Sequence, residues 1–281
     1  MIMEKAYAKL NLSLKVIGKM DNGFHELESI MVPICDLYDE LYFEENDSYD
    51  FNVSGFEVSN NSVLKAAYLF QKKYNTKGAN IRLVKRIPLE AGLAGGSADS
   101  SATLRGLNRL FNLNLSLKEL EELAIELGSD NVFCLYNKAS ICTGRGEKLN
   151  FIDFDFEFNV LLIKPKFGLL TKDVFSNLKI AKNTCDINYI LTALRNNDLK
   201  LLDNSIFNDL LSSALEIEPR LMYIKGEIEK QYSKCHMSGS GTTLYVIGEK
   251  ELNLDNIEYV YLNKHLIKNT VNDWIKEYKG L

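Results

Sequence analysis

The sequence lacks the residue patterns of a metal-binding or disulfide-stabilised protein. Its five cysteines stand far apart without a C-x-x-C pair, and its three histidines are equally scattered. A structural zinc site needs such ligands at short and regular spacings, so these residues are not predicted to bind zinc. An odd number of dispersed cysteines without a signal peptide predicts reduced thiols, and all five are interpreted as packing residues.

A surplus of basic residues and long apolar runs are also missing. The 33 Lys and Arg residues are outnumbered by 38 Asp and Glu residues, which gives a formal net charge of −5 at pH 7. A general nucleic-acid binder needs a basic face, so nucleic acid is not an expected partner, although a local basic pocket stays possible. No apolar run reaches membrane-spanning length, and the first residues hold no signal-peptide core. We therefore expect a cytoplasmic protein without a membrane partner.

The remaining composition is that of an ordinary globular protein. Hydrophobic residues make up 46% and charged residues 25% of the 281 residues, which excludes disorder, collagen and coiled coil. This length allows one large domain or two ordinary ones. We place a boundary near residue 155, with one domain over residues 1–155 and a second over residues 156–281.

Alternation and capping signals indicate a mixture of strands and helices. Residues 7–17 alternate, so that Lys9 and Asn11 share one face of a predicted strand, and a turn follows at residues 21–23. Further strands are predicted over residues 29–44, 51–58, 79–88, 151–163, 242–248 and 258–262. Helices are predicted over residues 62–74, from about 97 onward, over 117–127 after a Ser116 cap, over 186–196, 198–215 and 219–232, and at the end of the chain. This mixture predicts the α+β class.

Residues 88–98 read PLEAGLAGGSA between a predicted strand and a predicted helix. Backbone N–H groups at a helix N-terminus lack partners within the helix and attract anions, and small residues let a phosphate approach them. Neither the G-x-x-x-x-G-K-S/T motif nor the G-x-G-x-x-G motif fits here. Composition alone therefore leaves two interpretations open, a phosphate-binding loop and a plain tight turn.

Three segments carry a family resemblance. Residues 88–98 resemble the P-x-x-x-G-L nucleotide loop of the galactokinase, homoserine kinase, mevalonate kinase and phosphomevalonate kinase superfamily. Residues 8–12 (AKLNL) with residues 21–25 (DNGFH) resemble the first motif of the 4-diphosphocytidyl-2-C-methyl-D-erythritol kinase family, and residues 237–241 (MSGSG) resemble its third motif. The three segments occur in the order of that family and cover nearly the whole chain.

The resemblance implies a two-domain fold, an activity and its cofactors. The fold would combine an N-terminal ribosomal-protein-S5-domain-2-like domain with a C-terminal ferredoxin-like sandwich, with a deep cleft between them. The activity would be transfer of the ATP γ-phosphoryl group to the 2-hydroxyl of 4-diphosphocytidyl-2-C-methyl-D-erythritol, in the non-mevalonate (methylerythritol phosphate) route to isoprenoids. ATP and Mg²⁺ are the implied cofactors, and the expected assembly is a monomer or a weak homodimer.

The resemblance also implies the two catalytic residues. Residues 128–130 read G-S-D and match the family segment that holds the general base, which assigns this role to Asp130. Lys9 begins the first motif and would keep Asp130 ionised while it stabilises the attacking oxygen. Without the motifs, an Asp after a Gly is usually a turn or cap residue, and a Lys on an alternating strand usually faces solvent.

The family positions near the nucleotide map onto the glycine loop and two flanking residues. Asn61 and Lys85 match positions near adenine, and Asn61 is also a plausible helix N-cap. Ser97 is the hydroxyl expected nearest to magnesium, but no magnesium ligand is assigned. The loop residues expected to hold ATP are Pro88, Leu89, Glu90, Ala91, Gly92, Leu93, Ala94, Gly95, Gly96, Ser97, Ala98 and Asp99.

The expected substrate carries a cytosine, which aromatic rings can hold. Phe24 and Phe175 match the family's aromatic positions and would stack on the two faces of the base, while His25 would bond its edge. Phe175 has core packing as its alternative role. The other residues expected at the substrate are Asn11, Thr171, Ser238 and Gly239.

Two departures from the family pattern are expected to matter for the site. Glu90 places a carboxylate near the expected phosphates, where it would repel them unless it faces solvent, as we expect. Residues 131–133 lack the family's proline, which removes a rigid element from the loop that holds the base.

Two rival functions stay open. One is another kinase of the same superfamily, acting on homoserine, mevalonate or a sugar, and the D-N-G-F-H segment and Phe175 argue against it. The other is a catalytically silent nucleotide-binding regulator, and the presence of both Lys9 and Asp130 argues against it.

Overall fold

Two long antiparallel strands form the frame of the molecule. The structure is a computed structural model, and it describes residues 1–55, 62–180, 185–255 and 257–271. Strand β1 (Ile2–Lys19) pairs with β2 (His25–Glu45) along nearly its whole length. The connection between them turns at Gly23, whose φ of 85° suits glycine, so the predicted turn at residues 21–23 is confirmed.

Shorter strands extend this frame into the N-terminal sheet, and four helices cover it. The strands β3 (Asn52–Ser54), β4 (Ala79–Val84), β5 (Ser140–Gly144) and β6 (Lys148–Phe151) join β2 directly or through a neighbour. The helices are α1 (Ser62–Tyr74), α2 (Gly95–Leu110), α3 (Leu117–Leu127) and α4 (Ser129–Tyr136). The central helix α2 packs against β1, β2, α1, α3 and α4, so it anchors the loop that precedes it.

The C-terminal half contains a four-stranded antiparallel sheet. Its strands are β7 (Phe158–Pro165), β9 (His236–Met237), β10 (Leu244–Ile247) and β11 (Tyr259–Ile267), in the order β11-β7-β10-β9. In chain order these are the last, first, third and second strands of the sheet, which is the order of a ferredoxin-like sandwich. The intervening elements are α5 (Thr171–Ser176), α6 (Ile187–Asn196), α7 (Leu199–Ser205), β8 (Phe207–Asn208), α8 (Leu211–Ile217) and α9 (Pro219–Glu229).

The apolar core crosses between the two halves of the chain. The larger buried cluster joins Leu10 and Phe43 to Ile190 and Tyr245, and the smaller one joins Leu14 of β1 to residues of β7, β10 and α9. The predicted boundary at residue 155 falls between β6 and β7 and stays a prediction. None of the described helices combines the length and the apolarity that a membrane crossing requires.

Two predicted elements are interrupted. The helix predicted over residues 198–215 is split into α7 and α8, because Asn208 between them pairs with β1 and donates its amide to the carbonyls of Met237 and Gly239. The strand predicted over residues 151–163 is split into β6 and β7, and phenylalanine rings pack on one another in the segment between them. The rings of Phe154 and Phe156 lie 5.5 Å apart.

Other predicted elements differ in extent. The strand predicted over residues 51–58 is described only as β3, since residues 56–58 lie outside the described residues, as does the predicted final helix. The interpretation of all five cysteines as packing residues is wrong for Cys185, which is exposed, and its carbonyl accepts a hydrogen bond from Lys15 Nζ.

Candidate active site

A cleft of about 1080 Å³ runs between the two halves of the molecule. Its walls are the glycine loop, the turn between β1 and β2, the N-terminus of α4, and α5 with the loop after β9. Most of the residues predicted to form the site line this cleft. They are Lys9, Asn11, Phe24, His25, Pro88, Leu89, Glu90, Ala91, Gly92, Leu93, Ala94, Gly95, Gly96, Ser97, Asp130, Thr171, Phe175 and Gly239.

The glycine loop ends in a helix N-terminus without a side-chain cap. Ala94 precedes α2 in the left-handed conformation (φ 58°), and its methyl group cannot accept a hydrogen bond from the first turn. The first N–H groups of α2 therefore face the cleft without a capping side chain in the described part of the chain, which is the arrangement that binds anions.

Gly92 allows the loop to approach the segment after β9. Its φ is 71°, and a Cβ atom at this position would lie 2.2 Å from the carbonyl oxygen of Ser238. Ser238 Oγ in turn donates to the carbonyl of Gly92 over 3.0 Å and accepts from the backbone N–H of Asn11 over 3.3 Å. Ser238 is buried and outside the cleft lining, so in this structure it joins the first and third motif segments to the glycine loop.

Lys9 and Asp130 meet at the floor of the cleft. Lys9 Nζ lies 3.7 Å from Asp130 Oδ2, with the lysine buried and the Asp130 side chain 32% exposed. Lys9 Nζ also donates to Asn11 Oδ1 over 2.5 Å, and Asn11 Nδ2 donates to Ser29 Oγ over 2.8 Å. The backbone N–H of Lys9 donates to the carbonyl of Leu93 over 3.2 Å. The ammonium group is therefore fixed beside both the carboxylate and the glycine loop.

Asp130 lies in the first turn of α4, whereas the sequence predicted a loop just past a helix end. Its carboxylate therefore lies at the positive end of the helix dipole. In the segment that lacks the family's proline, Asn131 Nδ2 donates to the carbonyl of Ser97 over 3.3 Å. Ser101 Oγ returns a bond to the Asn131 carbonyl over 2.8 Å. These bonds join the element that carries Asp130 to the helix that carries the glycine loop.

Lys85 and Asp99 lie beneath the glycine loop rather than in the cleft lining. Lys85 Nζ bonds Asp39 Oδ2 over 2.6 Å and Asp99 Oδ2 over 2.7 Å. Burial acts to lower the pKa of Lys85, but the carboxylates of Asp99 and Asp39 outweigh it and the pKa is raised. Burial raises the pKa of Asp99 to about 7, against the opposing effect of Lys85.

Asp39 was not predicted as a residue of this site, although the sequence contains a pattern that points to it. It stands on the buried face of β2 between Leu37 and Leu41, where a carboxylate interrupts an apolar row. Its Oδ1 accepts from the backbone N–H groups of Arg86 and Ile87, so it holds the segment that leads into the glycine loop.

Aromatic rings line the opposite end of the cleft. Phe24 is 52% exposed, while the rings of His25 and Phe175 are stacked with centroids 5.1 Å apart. Burial lowers the pKa of His25, with a smaller contribution from Lys19. A base between two rings needs two contacts of about 3.5 Å each, so none fits between His25 and Phe175 as they stand. The outer face of this pair and the ring of Phe24 are the surfaces open to a base.

Several predicted residues lie outside this lining, and several lining residues were not predicted. Asn61 lies outside the described residues. Ala98 is buried in α2. Glu90 belongs to the lining, but it is exposed and its side chain lies against Gly168, as expected for a carboxylate turned from the phosphate site. Lys65 and Arg145 both add cations to the cleft, but they belong to none of the three family-like segments of the sequence.

The loop after β9 closes the cleft from the C-terminal half. Thr171 Oγ1 lies 2.9 Å from Ser240 Oγ, which joins the start of α5 to this loop. Asn208 Nδ2 donates to the carbonyl of Gly239 over 2.8 Å. A Cβ atom on Gly239 would lie 3.1 Å from Lys9 Nζ, so this glycine allows the loop to approach the floor of the cleft.

Comparison with known proteins places the chain in a family. Residues 61–138 match the model of the GHMP kinases N-terminal domain, and residues 190–268 match that of the GHMP kinases C-terminal domain. A Staphylococcus epidermidis protein named as a 4-diphosphocytidyl-2-C-methyl-D-erythritol kinase is 40% identical over 92% of this chain and 94% of its own length. A Staphylococcus aureus protein of the same name is 39% identical over the same shares.

Solved structures support the same relationship. The crystal structure of a 4-(cytidine 5'-diphospho)-2C-methyl-D-erythritol kinase matches with a TM-score of 0.79 and 25% identity, over 95% of this chain and 99% of that one. A homoserine kinase from Cytophaga hutchinsonii shares the fold with a TM-score of 0.70 at 15% identity, over 95% of each chain. The predicted α+β fold of this superfamily is thereby confirmed.

Proposed function

The chain belongs to the 4-diphosphocytidyl-2-C-methyl-D-erythritol kinase family of the GHMP kinases and is an ATP-dependent small-molecule kinase. We propose that it phosphorylates the 2-hydroxyl of 4-diphosphocytidyl-2-C-methyl-D-erythritol in isoprenoid precursor synthesis. The observation that carries the proposal is the pair of Lys9 Nζ and Asp130 Oδ2, 3.7 Å apart beside the glycine loop. A base and a cation at the end of a phosphate site are what hydroxyl phosphorylation needs.

The proposed reaction assigns one role to each part of this site. Asp130 accepts the proton of the substrate hydroxyl as its oxygen forms a bond to the γ-phosphorus of ATP, and the bond from that phosphorus to the β-phosphate oxygen breaks to release ADP. Lys9 stabilises the developing charge on the attacking oxygen. The N–H groups at the start of α2 hold the phosphates of ATP, and the loop of residues 88–98 brings them to the hydroxyl.

The aromatic end of the cleft would hold the cytosine. Phe24 offers an exposed ring, and the stacked pair of His25 and Phe175 offers a second surface. A base held between Phe24 and this pair would gain about 0.5–1.5 kcal/mol per ring contact beyond its burial. The edge contact predicted for His25 requires its ring to leave the stack with Phe175, and it stays a prediction. We propose that Asn11, Thr171 and Gly239 contact the erythritol part.

Magnesium fits this site as a partner of ATP rather than as a caged ion. The described residues contain no group of three His, Cys, Asp or Glu side chains arranged to hold a metal. Mg²⁺ is commonly bound through one or two protein groups together with the substrate phosphates. Ser97 on the first turn of α2 lines the cleft and would supply an oxygen atom for it. When bound, the ion would neutralise charge on the phosphates.

The roles of Asn61, Lys85 and Asp99 at the nucleotide stay predictions. In this structure Lys85 and Asp99 bond each other below the loop, which supports an indirect role through the position of α2. The expected cytoplasmic location, the monomeric or weakly dimeric state and the absence of nucleic-acid and membrane partners also stay predictions.

The test measures ADP release with ATP and magnesium, and with each candidate acceptor in turn. The acceptors are 4-diphosphocytidyl-2-C-methyl-D-erythritol, homoserine and mevalonate, offered to the wild type and to Asp130→Asn. We expect turnover of the first acceptor alone, and a loss of about 10²–10⁴ in kcat in the variant, because the amide cannot accept the proton. ATP binding by the variant, followed by calorimetry, should match that of the wild type.

Asp47→Asn serves as the matched control, because Asp47 is exposed and does not line the cleft. Turnover of homoserine or mevalonate instead would contradict the proposed substrate while keeping the proposed base. Binding of ATP without turnover of any acceptor would favour the silent regulator.

A further inference from the structure

Arg145 lines the cleft and contacts its aromatic end. Its guanidinium carbon lies 5.0 Å from the centre of the Phe24 ring, and its side chain is 27% exposed. It belongs to the turn that joins β5 to β6. We propose that Arg145 binds the diphosphate of the substrate; this inference rests on the proposed function.

The turn that carries Arg145 is short. Gly144 and Gly146 on either side have φ values of 70° and 113°, which favour glycine. The backbone N–H of Arg145 donates to Glu147 Oε2 over 2.6 Å, which closes the turn on itself. The guanidinium is therefore presented from a tight turn between two paired strands and not from a long loop.

The turn also contacts the catalytic end. A Cβ atom on Gly146 would lie 3.7 Å from Cβ of Ser129, the residue before Asp130. The side chain of Arg145 thus contacts the ring proposed for the base, while its neighbour packs beside the residue next to the proposed general base. The diphosphate of the substrate joins its cytidine to its erythritol, so it must cross this interval when both ends are bound.

The charge of Arg145 is available to such a ligand. Its nearest described carboxylate oxygen is Oε2 of Glu147, 3.9 Å from Nε, which is beyond hydrogen-bond distance. Lys9, by contrast, is buried and bonded to Asn11 and Asp130. A planar guanidinium binds phosphate oxygens through two parallel bonds, which fixes the position of the ligand as well as its charge.

The test compares ligands with and without the diphosphate. Dissociation constants of cytidine and of cytidine diphosphate are measured by calorimetry for the wild type, Arg145→Gln and Arg145→Lys. We expect Arg145→Gln to weaken cytidine diphosphate about 10-fold or more and cytidine by less than about 2-fold, because bonds to a charged group are lost only for the former. Arg145→Lys should recover part of the difference, since it keeps the charge without the two parallel bonds.

Lys172→Gln is the matched control, because Lys172 is another exposed cation of the same cleft. It should leave both constants within about 2-fold. Equal weakening of cytidine and cytidine diphosphate in Arg145→Gln would overturn the inference, since it would mean that Arg145 acts only by positioning Phe24. Unchanged affinity for cytidine diphosphate would overturn it as well.

Steady-state kinetics separates this inference from the proposed function. With the proposed substrate, Arg145→Gln should raise its KM about 10-fold with kcat changed by less than about 3-fold and KM for ATP unchanged. If the wild type fails to phosphorylate that substrate, the proposed function is wrong regardless of the variant. If the wild type turns it over and the variant keeps its KM, only the role of Arg145 is wrong.

Discussion

Asp39, Lys85 and Asp99 form a buried group with two carboxylates and one ammonium. Asp39 accepts bonds from Lys85 and from two backbone N–H groups, so its negative charge is well compensated. Asp99 accepts one bond from Lys85, and its Oδ1 has no partner among the described residues. Two carboxylates beside one cation disfavour full ionisation, and burial raises the pKa of Asp99 to about 7.

This arrangement predicts a pH-dependent effect of Asp99→Asn on stability. The pKa of Asp99 is raised from 3.8 to about 7, so the folded state holds this proton more tightly than the unfolded chain does. The resulting stabilisation is complete below pH 3.8 and is lost as the pH rises through about 7. Asparagine cannot titrate, so the variant does not lose this stabilisation as the pH rises. From about pH 5 to about pH 8, the free energy of unfolding of the variant should increase by more than about 1 kcal/mol relative to that of the wild type.

Urea unfolding followed by circular dichroism at both pH values measures this difference. The exposed Asp47→Asn should show no such change with pH. A constant difference between Asp99→Asn and the wild type would mean that Asp99 is ionised throughout and that Lys85 compensates both carboxylates.

Among the elements, the glycine loop is held by contacts with three separate parts of the fold. It is joined to β1 through the Leu93 carbonyl, to α4 through Asn131 and to the segment after β9 through Gly92. Three separate parts of the fold therefore determine where the N-terminus of α2 points. The phosphates of ATP would be positioned by this whole set of contacts and not by the loop alone.

Gly92→Ala should disrupt this set. Its Cβ would lie 2.2 Å from the Ser238 carbonyl at a backbone φ of 71°, so the loop or its neighbour must move. We expect a loss of about 1–3 kcal/mol in the free energy of unfolding, and a KM for ATP raised about 10-fold or more. Urea unfolding measures the change in the free energy of unfolding, and initial rates at varied ATP concentration measure the change in KM.

Gly96→Ala is the control within the same loop. Its Cβ would meet nothing closer than Ser62 Oγ at 3.7 Å, so its unfolding free energy should stay within about 0.5 kcal/mol of the wild type. A raised KM for ATP in Gly96→Ala, without loss of stability, would support close approach of phosphate to the backbone. Equal stability of Gly92→Ala and Gly96→Ala would contradict the contact described for Gly92.

At the scale of elements, the sequence predicted those helix ends that are determined by residues close together in the chain. The helix over residues 62–74 and the helix over residues 117–127 agree with α1 and α3 at both ends. The second of these has Ser116 and Glu119 as a capping box, a signal contained within four residues. The break at Asn208 was not predictable, because its causes are the distant strand β1 and the carbonyls after β9.

The same distinction holds within the site. Lys9, Asp130 and the glycine loop were predicted through motifs whose order is visible in the chain. Arg145 was not, because its relation to Phe24 arises only when β5 pairs with β2. A single arginine in a turn has no periodicity or spacing that distinguishes it from a solvent-exposed residue.

At the scale of the whole molecule, the two halves share their interior. The larger apolar cluster contains residues from β1, β2 and α1 together with residues from β7, α6 and β10. Polar contacts cross the same interface as well. Among them, the buried Tyr245 donates its hydroxyl to the carbonyl of Asn11 over 2.8 Å. The cleft opens beside this shared core, so the relative position of Lys9 and the C-terminal loop depends on it.

This shared core predicts that the chain unfolds in one cooperative transition. The strands of the two halves also form one continuous sheet, because Ile34 of β2 pairs with Ile267 of β11. Tyr245→Phe should shift that transition without splitting it, and it should cost about 1–3 kcal/mol because the Asn11 carbonyl loses its buried donor. Tyr232→Phe is the matched control, since the Tyr232 hydroxyl bonds the Lys250 carbonyl within the C-terminal half. If the whole chain unfolds as a single unit, both variants shift the midpoint of the same unfolding transition. Tyr232→Phe should give the smaller shift, because the hydrogen bond of Tyr232 is exposed. Two transitions in urea, of which Tyr232→Phe moved only one, would instead mean that domains on either side of residue 155 unfold independently.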